Sequence, residues 1–317
     1  MKSLNVLVTG GSGFIGANLV RMMINQGHNV TVLDDFSMGT EDYVRDLSVN
    51  IVDGNILDRD LVFDVVKGFD GIVHLAAQTG VPGSLRNPYN DCQVNIMGTL
   101  NLLEACRLIK DKSSKNMCPK FVFASSNAPL GRQSPPATED KVPIPISPYG
   151  ASKLAAESYC LAYYGSWGLK TIILRFGNVY GPFSKHKTSV VANFFNGMID
   201  DGHITIYGNG NQTRDFIYVE DLCRAVLLAL DSELGGEIYN VATGNETSIT
   251  ELFKIMQDVS GDLAEINISS PRQGDILHNY SSISKVQKYL KWNPYINLRT
   301  GLKYTWEWFD QNREAYN

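Results

Sequence analysis

The chain has 317 residues, 44% of them hydrophobic and 19% charged, with a formal charge of -5; it can hold one large domain or two sharing a cleft, and it is too apolar for disorder. Its lysines and arginines are scattered, which argues against a surface built to neutralise a nucleic-acid backbone. No apolar run approaches the ~18 residues of a membrane span, and five cysteines without CxxC or Cys/His spacing fit reduced thiols better than a disulfide framework or a metal site. The N-terminal MKSLNVLVTGG runs from one lysine into glycines without a signal-peptide cleavage pattern. A soluble, cytoplasmic protein with no nucleic-acid or membrane partner is expected.

The segment LNVLVTGGSGFIGANLVRMMINQGHNVTVLDD reads as strand, glycine turn, helix, strand. Ile15, Leu19, Met22 and Met23 recur at helical spacing, whereas Val30, Val32 and Leu33 form a short β-branched run. Gly10, Gly13 and Gly16 punctuate the turn: a tight bend, a close approach of backbone N–H groups to a pyrophosphate, and close helix packing. Phe14 and Ile15 then open a helix whose positive end faces the phosphates. Asp34 ends the next strand, where a carboxylate can accept the adenosine ribose hydroxyls and would repel the extra phosphate of NADP, so NAD is favoured.

Further strands are predicted at 49–54, 71–77, 120–126 and 170–176, alternating with helical stretches. Such alternation implies a Rossmann-type doubly wound α/β fold, a parallel sheet with ligands at the carboxyl ends of its strands, where the glycine turn, Ala76, Ser126 and Phe176 would meet. After residue 176 the rhythm loosens into loops carrying Arg, Lys and Asn, read as a smaller C-terminal α/β lobe closing over the sheet edge. Lys185 and Lys187 in one of these loops are read mainly as solvated. The division expected is a dinucleotide-binding domain over 1–175, with about 214–242 contributing, and a substrate lobe over most of 176–317.

In SPYGASK, Tyr149 and Lys153 are four residues apart, one helical face, about 5–6 Å between Cβ atoms. A phenol is a poor base at neutral pH, but a fixed ammonium nearby lowers its pKa. His74, on the buried strand 71–77, is read as a structural histidine.

With these motifs in order, TGGSGFIG, HLAA, NIMGTLNLLEA, the serine pair, YGASK, RFGNVYGP, TRDFIYVEDL and PRQGD, the sequence resembles the extended short-chain dehydrogenase/reductase family, in its nucleotide-sugar epimerase and dehydratase branch. The resemblance implies NAD as cofactor, a nucleotide-diphosphate sugar as partner, and a homodimer formed through the helices containing 95–106 and 149–164. It implies Ser126, Tyr149 and Lys153 as catalytic residues. It places Gly10, Gly13, Phe14, Ile15, Gly16, Asp34, Asn55, Ile56, Ala76, Ala77, Asn95 and Phe176, with Tyr149 and Lys153, at the cofactor. Ser84, Ser126, Asn178, Arg214, Arg272 and Asp275 are implied at the substrate, the arginines suiting bidentate phosphate contacts. Asn55 stands where the family usually has Asp.

A 4,6-dehydratase of this branch carries an Asp/Glu pair directly after the catalytic Ser or Thr, and uronic-acid decarboxylases commonly a Glu. Here Asn127 and Ala128 follow Ser126, and neither shuttles a proton as a carboxylate can. A 4-epimerase of the UDP-glucose/UDP-galactose type, which oxidises and re-reduces one carbon, is therefore preferred. A sugar 4-dehydrogenase or reductase, a 4,6-dehydratase and a non-catalytic dinucleotide sensor stand as alternatives. Asn279 is small where some epimerases carry a bulky residue, a hint of room for an N-acetyl group.

Overall fold

The computed structural model describes residues 3–112, 118–200, 202–261, 264–270 and 276–313. Strands β1 (Asn5–Thr9), β2 (Asn29–Asp34), β3 (Asn50–Asp53), β4 (Gly71–His74), β5 (Lys120–Ser126) and β6 (Thr171–Phe176) fall within the predicted spans. Shorter strands follow: β7 (Asn178–Tyr180), β8 (His203–Tyr207), β9 (Thr213–Arg214), β10 (Phe216–Tyr218), β11 (Glu237–Val241), β12 (Thr247–Ser248) and β13 (Glu265–Ser269).

Seven strands form one parallel sheet in the order β11-β6-β5-β4-β1-β2-β3. The chain builds outward from β1 to β3, returns to β4 on the other side of β1, and builds outward again. That reversal opens a crevice at the carboxyl ends of β1 and β4, the binding place of doubly wound sheets. Alternate side chains on each strand face opposite layers. Val6, Val8, Val32, Val73, Ile172 and Leu174 pack beside Leu19, Val20, Leu222 and Val226 of helices Phe14–Asn25 and Val219–Asp231. Leu7, Leu33, Ile72, Phe121, Phe123 and Ile173 pack beside Val62, Leu102, Ala156 and Cys160 of three helices on the other face. Each such fully buried side chain contributes about 1.5–3 kcal/mol.

Outside that sheet, β7 pairs with β10, β9 with β12 and β8 with β13 in two-stranded pieces. Two buried carboxylates tie these pieces together. Asp215 accepts the Thr243 N–H (2.7 Å), the Thr243 hydroxyl (2.6 Å) and the N–H groups of Gly244 and Ser281. Asp221 accepts the N–H groups of Tyr295 and Ile296 and a 2.5 Å bond from Arg224, and its carbonyl takes the Trp292 indole N–H. Among the described residues, no helix is long and apolar enough to cross a membrane.

Candidate active site

A cavity of about 430 Å³ occupies the crevice. At one end is the glycine turn. Gly10 has φ +70°, and a Cβ there would fall 2.6 Å from the Ala76 amide nitrogen; one on Gly16 would fall 2.2 Å from the Gly10 carbonyl oxygen. The turn therefore closes only around hydrogen atoms. Gly13, the N-cap, offers the first helical turn no side-chain acceptor, and Phe14 and Ile15 of that turn line the cavity. An N-terminus left this way suits an anionic group, and this fits the pyrophosphate of a dinucleotide.

Asp34 is 8% exposed and lines the same cavity. Its carboxylate accepts the Ser12 N–H (2.8 Å) and the Phe36 N–H (3.0 Å), so it braces the glycine turn as well as facing the cavity. Burial raises its pKa, against the pull of those two bonds. Asn55 donates to Asp35 (2.6 Å) and accepts from Leu57 N–H (2.8 Å); Ile56, Ala76, Ala77 and Phe176 line the cavity beside it.

At the other end the reacting groups meet. β4 stops at His74 opposite Phe123, while β5 runs on through Ala124, Ser125 and Ser126, which pairs with Phe176. Helix Pro148–Trp167 begins with Ser147 capping Gly150 N–H and Pro148 in the first turn, a strong start signal. A Cβ on Gly150 would lie 2.6 Å from the Ala128 carbonyl oxygen, so glycine there lets the helix abut the turn after β5. Tyr149 is thereby hydrogen-bonded to Ser126. Ser126 Oγ accepts the Ala128 N–H (3.1 Å), leaving its proton for the Tyr149 oxygen, a bond that favours phenolate.

One sequence expectation is corrected. Lys153 does not set the Tyr149 pKa here: burial pushes the phenol up to about 12, the Ser126 bond pulls it down, and Asp91 pushes it up. The Lys153 ammonium instead donates to the Ala124 carbonyl (2.9 Å) and lies 4.8 Å from the Phe123 ring centre, with its own pKa lowered by burial to about 8.

Behind these groups is a polar layer. Asn95, in the π-helical turn Gln93–Gly98, does not line the cavity; its amide accepts Gln78 N–H (2.9 Å) and donates toward Gln78 carbonyl, Asp91 and Ser152. His74 bridges the hydroxyls of Thr9 and Thr99, its pKa driven down to about 3 by burial, as a structural histidine would be. Glu157 and Arg175, almost fully buried, form a two-bond pair (2.9 and 2.6 Å) that also receives the Ser125 hydroxyl. Sequence reading passed over Asp91, Glu157 and Arg175; their carboxylates and guanidinium lie on three different elements, with no spacing to betray them.

Of the substrate candidates, Ser126 lines the cavity, and Gly177 and Val179 do so on either side of Asn178. Ser84 is buried, its hydroxyl donating to the Val81 carbonyl (2.8 Å). Arg214 donates to the carbonyls of Thr213 and Ile276 (both 2.7 Å). Arg272 and Asp275 lie outside the described residues. Lys187 corrects the solvated reading: it lines the cavity and donates to Thr79 (2.9 Å), from a loop anchored by Phe183 packing against Tyr43 and Trp308. Asn127 instead lines a small neighbouring pocket with His278 and Asn279.

A doubly wound sheet with a glycine-turn cradle, and a serine, a tyrosine and a lysine gathered at its carboxyl edge, defines an enzyme of the short-chain dehydrogenase/reductase type. The NAD dependent epimerase/dehydratase family profile matches residues 6–242. A Methanocaldococcus jannaschii protein provisionally named UDP-glucose 4-epimerase is 37% identical, covering 98% of this chain and 100% of that one. A Streptomyces niveus dTDP-glucose 4,6-dehydratase is 32% identical over 98% of this chain and 94% of its own. Among solved structures, Thermotoga maritima UDP-glucose 4-epimerase with UDP-glucose superposes at TM-score 0.90 with 34% identity, covering 98% and 100%. A UDP-N-acetylglucosamine 4-epimerase from Methanobrevibacter ruminantium gives 0.91 and 32%, also covering 98% and 100%. The chain belongs to the NAD-dependent epimerase/dehydratase family, and its cofactor is NAD.

Proposed function

We propose that the protein is a nucleotide-sugar 4-epimerase acting on a UDP-hexose. Relatives of nearly equal similarity carry out different reactions, so the reading rests on the site. The observation that carries it is the composition of the cavity wall: among its described lining residues the acids are Asp34 and Asp35, both at the β2 end, and no carboxylate lines the cavity beside Ser126 and Tyr149. Loss of water across C5 and C6 needs an acid and a base there; shuttling one hydrogen at C4 does not.

In this reading Gly10, Gly13, Phe14, Ile15 and Asp34 would hold NAD, which when bound would supply reversible hydride acceptance. Tyr149 takes the C4 hydroxyl proton and gives it back. Ser126 holds that hydroxyl, and its bond to the Tyr149 oxygen eases phenolate formation. Lys153, its pKa lowered to about 8, is largely an ammonium at neutral pH and holds positive charge in the cavity wall. Asn178, Arg214, Arg272 and Asp275 grip the nucleotide diphosphate. Residues 1–175 with about 214–242 form the cofactor domain, and most of 176–317 the substrate lobe. Exposed apolar side chains on the two candidate dimer helices, Met97, Tyr159 and Tyr164, support the homodimer.

The test is NMR analysis of the purified protein with UDP-, GDP-, CDP- and dTDP-sugars. The C4 epimer of a UDP-sugar without added reductant is expected; a 4-keto-6-deoxy product, or net reduction of NAD with a released ketone, would overturn the reading.

A further inference from the structure

Among the described residues, Asp91 and Glu157 are the carboxylates that act on Lys153, and Glu157 is paired with Arg175. Asp91 is 2% exposed on the short helix Pro88–Cys92. Its Oδ2 accepts from the Asn95 amide at 3.1 Å. That amide also donates to the Ser152 hydroxyl (3.0 Å), which in turn donates to the Tyr149 carbonyl oxygen (3.1 Å). The second Asp91 oxygen, Oδ1, is buried without a hydrogen-bond partner. A buried carboxylate oxygen left without a hydrogen bond is costly, and such a group calls for an explanation.

The explanation lies in what Asp91 faces. Lys153 is fully enclosed by groups from three elements. On β5 are the Phe123 ring and the Ala124 carbonyl, which takes its hydrogen bond. On β4 is His74, held neutral at ordinary pH. On its own helix are Cys160, whose thiol is kept protonated by burial, and Glu157, whose charge is matched by Arg175. Asp91 is the remaining anion acting on Lys153, and it acts on Tyr149 as well.

We propose that Asp91 is a positioning residue of the reaction: through Asn95 and Ser152 it fixes the start of the Tyr149–Lys153 helix against the Gln78 turn, and its negative charge bears on both Lys153 and Tyr149. This rests on the catalytic reading given above.

Holding both partners has a signature that simple packing lacks. Removing the negative charge lowers the pKa of Lys153 and of Tyr149 together, because an anion favours the protonated form of each. The two limbs of the kcat–pH profile report the apparent pKa values of this coupled pair. Both limbs therefore move toward lower pH.

Asp91→Asn is nearly isosteric and neutral. With whichever nucleotide sugar the wild type turns over, the variant holoenzyme should lose more than about tenfold in kcat at the wild-type optimum, keep KM within about twofold, and show both limbs displaced by at least about half a pH unit to the acid side. Asp91→Ser repeats the test should the asparagine variant not fold. Limbs that stay in place while the profile merely shrinks would overturn the proposal, as would unchanged kcat, or failure of both neutral variants to fold. Tyr149→Phe run in parallel separates the two levels: if it turns over at the wild-type rate, the catalytic reading falls, whereas an unshifted Asp91→Asn profile removes only the role given to Asp91.

Discussion

The sheet from β1 to β6 and the pieces from β7 to β13 are held together by different forces. In the first, long runs of apolar side chains alternate across a continuous parallel ladder, and every strand is supported by its neighbours. In the second, apart from β11 at the sheet edge, two-stranded fragments are tied by Asp215 and Asp221, each receiving backbone N–H groups from distant segments. The first region tolerates the loss of one side chain because its stability is spread over many. The second concentrates it in a few buried charges, which leaves its loops free to be shaped around a ligand.

The comparison can be broken most sharply in the first region, but only through backbone. Gly16→Val puts side-chain atoms where a Cβ alone would be 2.2 Å from the Gly10 carbonyl oxygen; the expected result is no NAD-retaining folded protein, by circular dichroism and cofactor absorbance. Next comes Asp221→Ala, which strands the buried N–H groups of Tyr295 and Ile296 and should cost about 3–5 kcal/mol in urea unfolding. A loss below about 1 kcal/mol would mean that the tie is incidental. Lys187→Met cuts the bond to Thr79 that joins the two regions across the cavity; the Kd of NAD or the KM of the sugar should rise about tenfold, a change of ~1.4 kcal/mol, and no change in either would return Lys187 to the solvent. The smallest effect at neutral pH is at His74. Its folded pKa of about 3 lies below the ordinary 6.5, so between those values the unfolded chain binds one more proton and stability falls as pH drops. His74→Asn should flatten that fall by roughly 1 kcal/mol per pH unit between pH 6 and 4.

The same contrast explains what the sequence made legible. β1 to β6, the glycine turn and the Tyr149–Lys153 face are local patterns: short β-branched runs, a fixed glycine spacing, a four-residue step on one helix. Asp91, Asn95 and Ser152 meet only after two helices pack, and Arg175 finds Glu157 across a helix–sheet contact. The phenol's environment was misjudged for a related reason. Spacing fixes that Tyr149 and Lys153 share a face, but whether the ammonium turns to the phenol or to the Ala124 carbonyl depends on how deeply β5 extends beneath them.

Asp34 carries a practical consequence for redesign. An engineer wishing to run this scaffold on NADP would replace that acid first, to remove repulsion of the added phosphate. The substitution would also withdraw the acceptor for Ser12 N–H and Phe36 N–H, and so slacken the glycine turn. Exchange of coenzyme thus requires a paired change, one residue to welcome the phosphate and another to take over the brace, and single-site variants at Asp34 should bind both dinucleotides poorly.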